Sequence, residues 1–206
     1  MLCIFSIFVR HCFCARNVSG KATEILHIEK SHMINIEILP LEGIVIENVG
    51  KINLDISKTE ILKLLGQPSE FSNKKQLFFS DYELRIDFDN NDKVEFIEFI
   101  FGPFPEKTKL SIYNIDPFQI GAEKLVDILT EKNNGKIDDS EADFSYGFLD
   151  ISVGIWRDMT EKDAEETIQE MKAEKTYEEN KNWLEEDLEK SKNYWTIGIG
   201  RKNYYD

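Results

Sequence analysis

The chain has 206 residues, and its 39 Asp and Glu residues outnumber its 25 Lys and Arg residues, which gives a formal net charge of −14. A field of this sign repels nucleic acid and anionic membrane and favours a basic protein partner. With 41% hydrophobic residues, the chain can bury the core of one domain or of two small ones. We therefore expect a basic protein as the partner, with no nucleic acid and no membrane.

Residues 1–32 differ in composition from the remainder of the chain. They carry a net charge of +2 and contain all three cysteines and all three histidines. The apolar run MLCIFSIFV lacks the preceding Lys or Arg of a signal peptide, and HCFC at 11–14 lacks the paired ligands of a zinc site. We predict that residues 1–32 are an N-terminal extension outside the fold, with Met33 as the functional start and a domain over 33–206.

The first predicted elements are strands followed by a short helix. Alternating and β-branched residues across 33–50 predict one or two strands with a turn near 41–43. The stretch ISKTEILKLLGQP at 56–68 predicts a helix over 57–66. Ser57 and Glu60 can form a capping box, and Gly66 can take the left-handed conformation that ends a helix.

Residues 74–101 predict consecutive strands. Leu84, Ile86 and Phe88 alternate with polar residues, and Asn90 and Asn91 stand where a hairpin turn belongs. The stretch DFDNNDKVEFIE at 87–98 also matches part of an EF-hand calcium loop. The strand pattern on both sides, and an Asp in place of the turn glycine, favour the hairpin.

A second copy of this unit is indicated further along. IGAEKLVDILTE at 120–131 lies 64 residues after ISKTEILKLLGQ and predicts a helix over 121–133. The segment at 146–156 resembles that at 82–89, and the alignment matches Leu149, Ile151 and Val153 with Leu84, Ile86 and Phe88. We predict a tandem helix-then-strands repeat with units at about 44–101 and 108–157.

The region after the second unit is acidic. Between positions 158 and 192 there are 13 acidic residues and 6 lysines, and a narrow apolar seam predicts one helix or a helix pair over 160–192. Alternation predicts a final strand over 194–200. The fold class is therefore predicted as α+β, with antiparallel sheets, capping helices and an acidic C-terminal helical segment.

Catalytic motifs are missing from the predicted domain. Residues 33–206 contain no His and no Cys, and the chain has no P-loop, no G-x-S-x-G and no G-x-G-x-x-G. We expect no cofactor, no metal site and no enzyme activity. A carboxylate-based hydrolase stays open as an alternative, because the many acids include possible catalytic pairs.

The phrase VGKINLDISKTEILKLLGQP, followed by YELRIDFDNNDKVEFIEF, resembles a recurrent bacterial unit. This unit is found in the SmpA/OmlA outer-membrane lipoproteins and, in tandem, in β-lactamase inhibitory proteins. The chain is also similar to Firmicute proteins thought to act as immunity proteins for secreted polymorphic toxins. The resemblance implies an α+β fold that binds a protein without a catalytic residue. The matching positions are Gly50, Ile52, Leu54, Ser57, Glu60, Ile61, Leu65, Gly66 and Pro68.

The predicted function is that of a cytoplasmic, non-catalytic immunity protein that occludes a basic toxin domain. An SmpA-like envelope assembly lipoprotein is a further alternative, and it would need lipid on Cys12 or Cys14, which follow His11 and Phe13 where a small residue is expected. The predicted partner surface combines acids with aromatic anchors. Its residues are Glu165, Glu166, Tyr177, Glu178, Glu179, Trp183, Glu185 and Glu186. The alternative is that Trp183 is buried against the sheet and that the acids are only a solvated surface.

Overall fold

The computed structural model describes residues 32–205, and its fold is α+β, as predicted. Of the predicted extension, only His32 falls within the described residues. The elements in chain order are β1 (Ile34–Leu39), β2 (Gly43–Ile46), β3 (Gly50–Asn53), α1 (Lys58–Leu65), β4 (Gln76–Phe79), β5 (Leu84–Phe88), β6 (Val94–Phe99), β7 (Thr108–Ile112), α2 (Ala122–Lys132), β8 (Ile137–Asp138), β9 (Ser145–Phe148), β10 (Val153–Trp156), α3 (Glu161–Ala173), α4 (Tyr177–Ser191) and β11 (Thr196–Gly200).

The early part of the chain forms a four-stranded sheet in the order β3-β2-β1-β7. The first three strands are antiparallel neighbours, whereas β7 pairs with β1 in parallel. A parallel pair needs a long crossover, and the segment from β3 to β7 supplies it. Ile36 and Ile38 face Ile46 and Ile44 across β1 and β2, so one side of this sheet is apolar and buried.

The larger sheet has seven strands in the order β4-β5-β6-β11-β10-β9-β8, and all neighbours are antiparallel. A helix followed by three strands occurs on each side of β11: α1 with β4 to β6, and α2 with β8 to β10. The predicted β5–β6 hairpin is present. Its turn is held by Asp89, whose Oδ1 accepts hydrogen bonds from the backbone N–H groups of Asn91 (2.8 Å) and Lys93 (2.9 Å).

The predicted residue alignment of the two repeat units is wrong. Leu149 and Ile151 lie in the turn between β9 and β10 and not in a strand. The side chain of Asn133 sets this turn, because its Oδ1 accepts hydrogen bonds from the backbone N–H of Asp150 at 2.9 Å and of Ile151 at 3.4 Å. The tandem repeat itself stays a prediction.

Local sequence signals explain α1, one of the two helices that cover the core. The capping box is formed, since Ser57 accepts a hydrogen bond from the N–H of Glu60 and Glu60 accepts one from the N–H of Ser57. Gly66 has φ 80° and donates its N–H to the carbonyl of Leu62 at 3.1 Å, which ends α1. One buried cluster then joins the inner sides of both sheets with α1 and α2, and burial of this apolar area is the main stabilising contribution.

The predicted acidic segment forms two helices, α3 and α4, which we call the acidic helix pair. The helical conformation is interrupted at residues 174–176, where Lys175 has φ 62°. The two helices pack against each other, and their buried residues Ala164, Ile168 and Leu184 are separate from the main core cluster. The end of α4 is fixed by Arg157, whose Nη1 donates to the carbonyl of Ser191 at 3.0 Å. The acidic helix pair is therefore an appended element anchored at its base.

Candidate protein-binding surface

The structure places all eight predicted partner residues on the acidic helix pair. Glu165 and Glu166 lie on α3, and the other six lie on α4. Tyr177 is half-buried and the others are exposed. Four of the eight line an open groove between the helices, of about 780 Å³, namely Glu165, Glu166, Tyr177 and Glu185. The remaining four do not line it, namely Glu178, Glu179, Trp183 and Glu186.

The groove combines an aromatic ring with carboxylates. The Tyr177 hydroxyl donates to Glu185 at 3.4 Å, and the Lys172 ammonium lies 4.9 Å from the centre of the Tyr177 ring. Such a contact is the cation–π interaction that a ring offers to Lys or Arg. Ile168 and Leu188 add apolar lining. The groove can therefore receive a basic side chain from a partner in competition with Lys172.

Lysines one turn away partly neutralise the predicted glutamates. Three lysine–glutamate pairs at i and i+4 involve predicted residues, with distances of 3.6, 3.7 and 2.6 Å for Glu166, Glu185 and Glu186. Exposed pairs of this kind contribute little stability. Within residues 32–205, Glu165 has no ion pair, nor do Glu178 and Glu179. The excess of acids over lysines leaves residues 158–192 with a net charge of −7.

Trp183 is the exposed aromatic residue of the acidic helix pair. Its side chain is 42% exposed, and its indole Nε1 donates to Asn180 Oδ1 at 3.0 Å. The hydrogen bond restricts the ring while its face stays accessible. Partly exposed tryptophans with a fixed orientation are typical of binding hot spots.

A second polar cluster, on the seven-stranded sheet, was not predicted from the sequence. Arg85 Nε lies 3.0 Å from Asp87 Oδ1, and Arg85 Nη1 lies 3.1 Å from Glu98 Oε2. Burial raises the pKa of Asp87 and of Glu98, and the nearby Arg85 offsets part of each rise. The alternation in β5 indicated that Arg85 and Asp87 share a side of the strand, but the pairing with Glu98 depends on the register of β6.

Among residues 32–205, no group of three or more His, Cys, Asp or Glu residues is arranged to hold a metal ion. No helix in this part is both long and apolar enough to cross a membrane.

Comparison of the chain with protein-family models, with curated proteins and with solved structures finds no match. The resemblance to the SmpA/OmlA and β-lactamase inhibitory units therefore stays a prediction. The description that the structure supports is that of an α+β protein with an appended acidic helix pair.

Proposed function

We propose that this protein is a non-catalytic immunity protein that binds a basic toxin domain in the cytoplasm and neutralises it by occlusion. The observation that carries the proposal is the acidic helix pair. Residues 158–192 hold a net charge of −7, and the helices bury a seam separate from the main core. An element that is charged, exposed and packed apart from the main core is suited to contact another protein.

Charge and aromatic character have different roles in this proposal. The negative field accelerates encounter with a basic partner and selects against acidic ones. Trp183 and Tyr177 supply contact area, which limits the dissociation rate. The glutamates of the i,i+4 pairs can exchange their lysine partners for basic side chains of the toxin at small cost.

The proposal of a non-catalytic role is supported by the composition of the domain. Residues 33–206 lack His and Cys, so acid–base catalysis by imidazole and attack by a thiolate have no residue to carry them there. The half-buried carboxylate of Asp87 and the buried carboxylate of Glu98 both contact Arg85. Glycosidase carboxylates flank a substrate, whereas Glu98 is only 2% exposed.

The test is co-expression of the full chain with the toxin domain encoded beside it, followed by measurement of the association rate between the purified proteins. One variant changes six glutamates of the helix pair to Gln, at positions Glu165, Glu166, Glu178, Glu179, Glu185 and Glu186. A matched control changes six exposed acids outside the pair to their amides, at positions Glu37, Glu70, Glu106, Glu131, Asp139 and Glu141. Both variants have the same net charge.

We expect the helix-pair variant to associate at least about tenfold more slowly than the control at low salt, and the gap to close as salt rises. Equal rates for the two variants would exclude the helix pair as the binding surface. An intact chain that neither binds nor protects against the adjacent toxin would exclude the immunity function.

A further inference from the structure

Residues 201–205, which we call the strap, cross the outer face of the seven-stranded sheet. The outer face is the side opposite the core, and register places on it Arg85, Asp87, Phe96, Glu98, Gly147, Gly154, Gly198 and Gly200. The ring of Tyr204 stacks on Phe96 with centroids 4.6 Å apart and planes 5° apart. Tyr205 meets Phe96 edge-on at 6.2 Å. The strap therefore covers this face with two aromatic rings.

A row of glycines forms the floor under these rings. Gly147, Gly154 and Gly198 are directly opposite one another on β9, β10 and β11. A Cβ at Gly154 would lie 2.3 Å from the Tyr205 hydroxyl, and one at Gly198 would lie 2.3 Å from the Phe96 ring. Glycine inside a strand weakens it and marks close approach of another group. The row therefore provides bare backbone on which flat rings can lie.

Carboxylates surround the same face. Arg201, the first residue of the strap, lies 2.8, 3.0 and 3.3 Å from the carboxylates of Asp55, Asp89 and Glu95. The polar cluster of Arg85, Asp87 and Glu98 described above adds two carboxylates and one arginine. The surroundings are negative, whereas the strap, with the sequence Arg-Lys-Asn-Tyr-Tyr, is basic and aromatic.

The acids also influence the strap directly. Burial raises the pKa of the Tyr204 phenol, and the carboxylates of Asp87, Glu95 and Glu98 add to the rise. The Tyr204 phenol is therefore neutral on this face, and Arg85 opposes part of the rise.

We propose that the outer face is a docking surface for a basic, tyrosine-bearing segment of a partner protein, and that the strap occupies this surface in the free chain. The inference concerns a different surface from the acidic helix pair and does not depend on it. Arg201 anchors the strap, and the part after it is suited to displacement, because residues 202–205 form turns without helix or strand and Tyr204 is 38% exposed. The strap is a tethered competitor. The apparent association constant of any partner is therefore the intrinsic one multiplied by the fraction of molecules in which the strap has left the face.

The test uses the full chain and three labelled, end-blocked peptides. The first is Arg-Lys-Asn-Tyr-Tyr, the second has the same composition reordered as Tyr-Arg-Lys-Tyr-Asn, and the third is Arg-Lys-Asn-Ser-Ser. The proteins are the parent, a double variant with Tyr204→Ser and Tyr205→Ser, and the double variant with Gly154→Leu added to fill the floor. Binding is measured by fluorescence anisotropy, and circular dichroism checks the fold of each variant.

We expect the double variant to bind both tyrosine peptides at least tenfold more tightly than the parent does. The serine peptide should not bind, and Gly154→Leu should abolish the gain. Equal affinity for the parent and the double variant, or a gain that survives Gly154→Leu, would overturn the proposal. Binding of the strap peptide but not of the reordered one would also overturn the proposal, because the face would then recognise only the sequence of the strap itself.

A measurement on the parent protein covers the case in which the variants do not fold. Excess tyrosine peptide should displace the strap and accelerate hydrogen exchange at the backbone amides of Tyr204 and Tyr205 at least several-fold. The serine peptide should leave these amides unchanged. Unchanged exchange with the tyrosine peptide, at a concentration that saturates any binding, would overturn the proposal.

Discussion

Replacing Glu83 with Ala should destabilise the protein strongly, because this carboxylate is a buried acceptor for three hydrogen bonds. Glu83 is 3% exposed. Its Oε1 accepts from the N–H of Glu106 at 2.8 Å, and its Oε2 accepts from the N–H and the hydroxyl of Thr108 at 3.0 and 2.6 Å. The carboxylate thereby connects the turn before β5 to the start of β7.

The size of the destabilisation by Glu83→Ala depends on which of the three hydrogen-bond donors could be hydrated once the carboxylate is removed. Thr108 is 1% exposed, so both of its donors would be left unsatisfied, whereas Glu106 is exposed and its N–H can be hydrated. At about 1–3 kcal/mol for each unsatisfied buried donor, the expected loss is about 2–6 kcal/mol. Glu83 has φ 53°, and Ala shares the strain of that conformation with Glu, so the backbone contribution cancels.

Urea unfolding followed by far-ultraviolet circular dichroism measures the loss in the free energy of unfolding. The matched variant is Glu83→Gln, which keeps one oxygen for Thr108 and should lose only about 1–2 kcal/mol. A loss below about 1 kcal/mol for Glu83→Ala, or equal losses for the two variants, would refute the role assigned to the carboxylate.

Three further predictions concern the core, a helix cap and pH. Leu129 is fully buried on α2, and Leu129→Ala should lower the free energy of unfolding by about 2–5 kcal/mol. The same change at the exposed Leu64 should lower it by about 0.5 kcal/mol or less. Ser57→Ala removes the N-cap of α1 and should cost about 1 kcal/mol. Burial raises the pKa of Glu98 in the folded state, so as pH rises this carboxyl loses its proton in the unfolded chain before it does so in the folded one. The parent therefore loses stability as pH rises above the ordinary pKa of a glutamate. The stability of Glu98→Gln relative to the parent should therefore improve from about pH 4 to about pH 7.

Each of these predictions is checked by urea unfolding and has a contrary outcome. Equal losses at Leu129 and Leu64 would contradict the placement of α2 on the core. An unchanged midpoint for Ser57→Ala would mean that water replaces the cap. A difference between parent and Glu98→Gln that moves in the opposite direction with pH would mean that Arg85 outweighs burial at this carboxyl.

Local signals accounted for the elements that the sequence predicted well. The capping box of α1 and the alternation in β5 depend only on residues that are near one another in the chain, so sequence reasoning located them closely. The turn between β9 and β10 is not recognisable from the sequence, because Leu149 and Ile151 continue the apolar alternation through it. What sets this turn is the distant side chain of Asn133.

The features missed are those that depend on long-range pairing. Nothing local indicated that β7 would join β1 in parallel, or that residues 201–205 would lie on the outer face of the larger sheet. For the candidate surface, composition predicted the acidic character of α3 and α4. Composition does not predict the interruption between α3 and α4 at residues 174–176, because this segment contains neither Gly nor Pro. The groove between the helices depends on that interruption.

The position of β11 has a consequence for the order in which the protein can assemble during synthesis. This strand lies between β6 and β10, and its Ile197 pairs with both Phe99 and Ile155. The ribosome delivers the two outer groups of three strands before it delivers the strand that joins them. Until then β6 and β10 present open edges, which are sites for aggregation. In a nascent chain of this topology the larger sheet is completed only when β11 is inserted between β6 and β10, so both edges stay unpaired until the last strand has been synthesised.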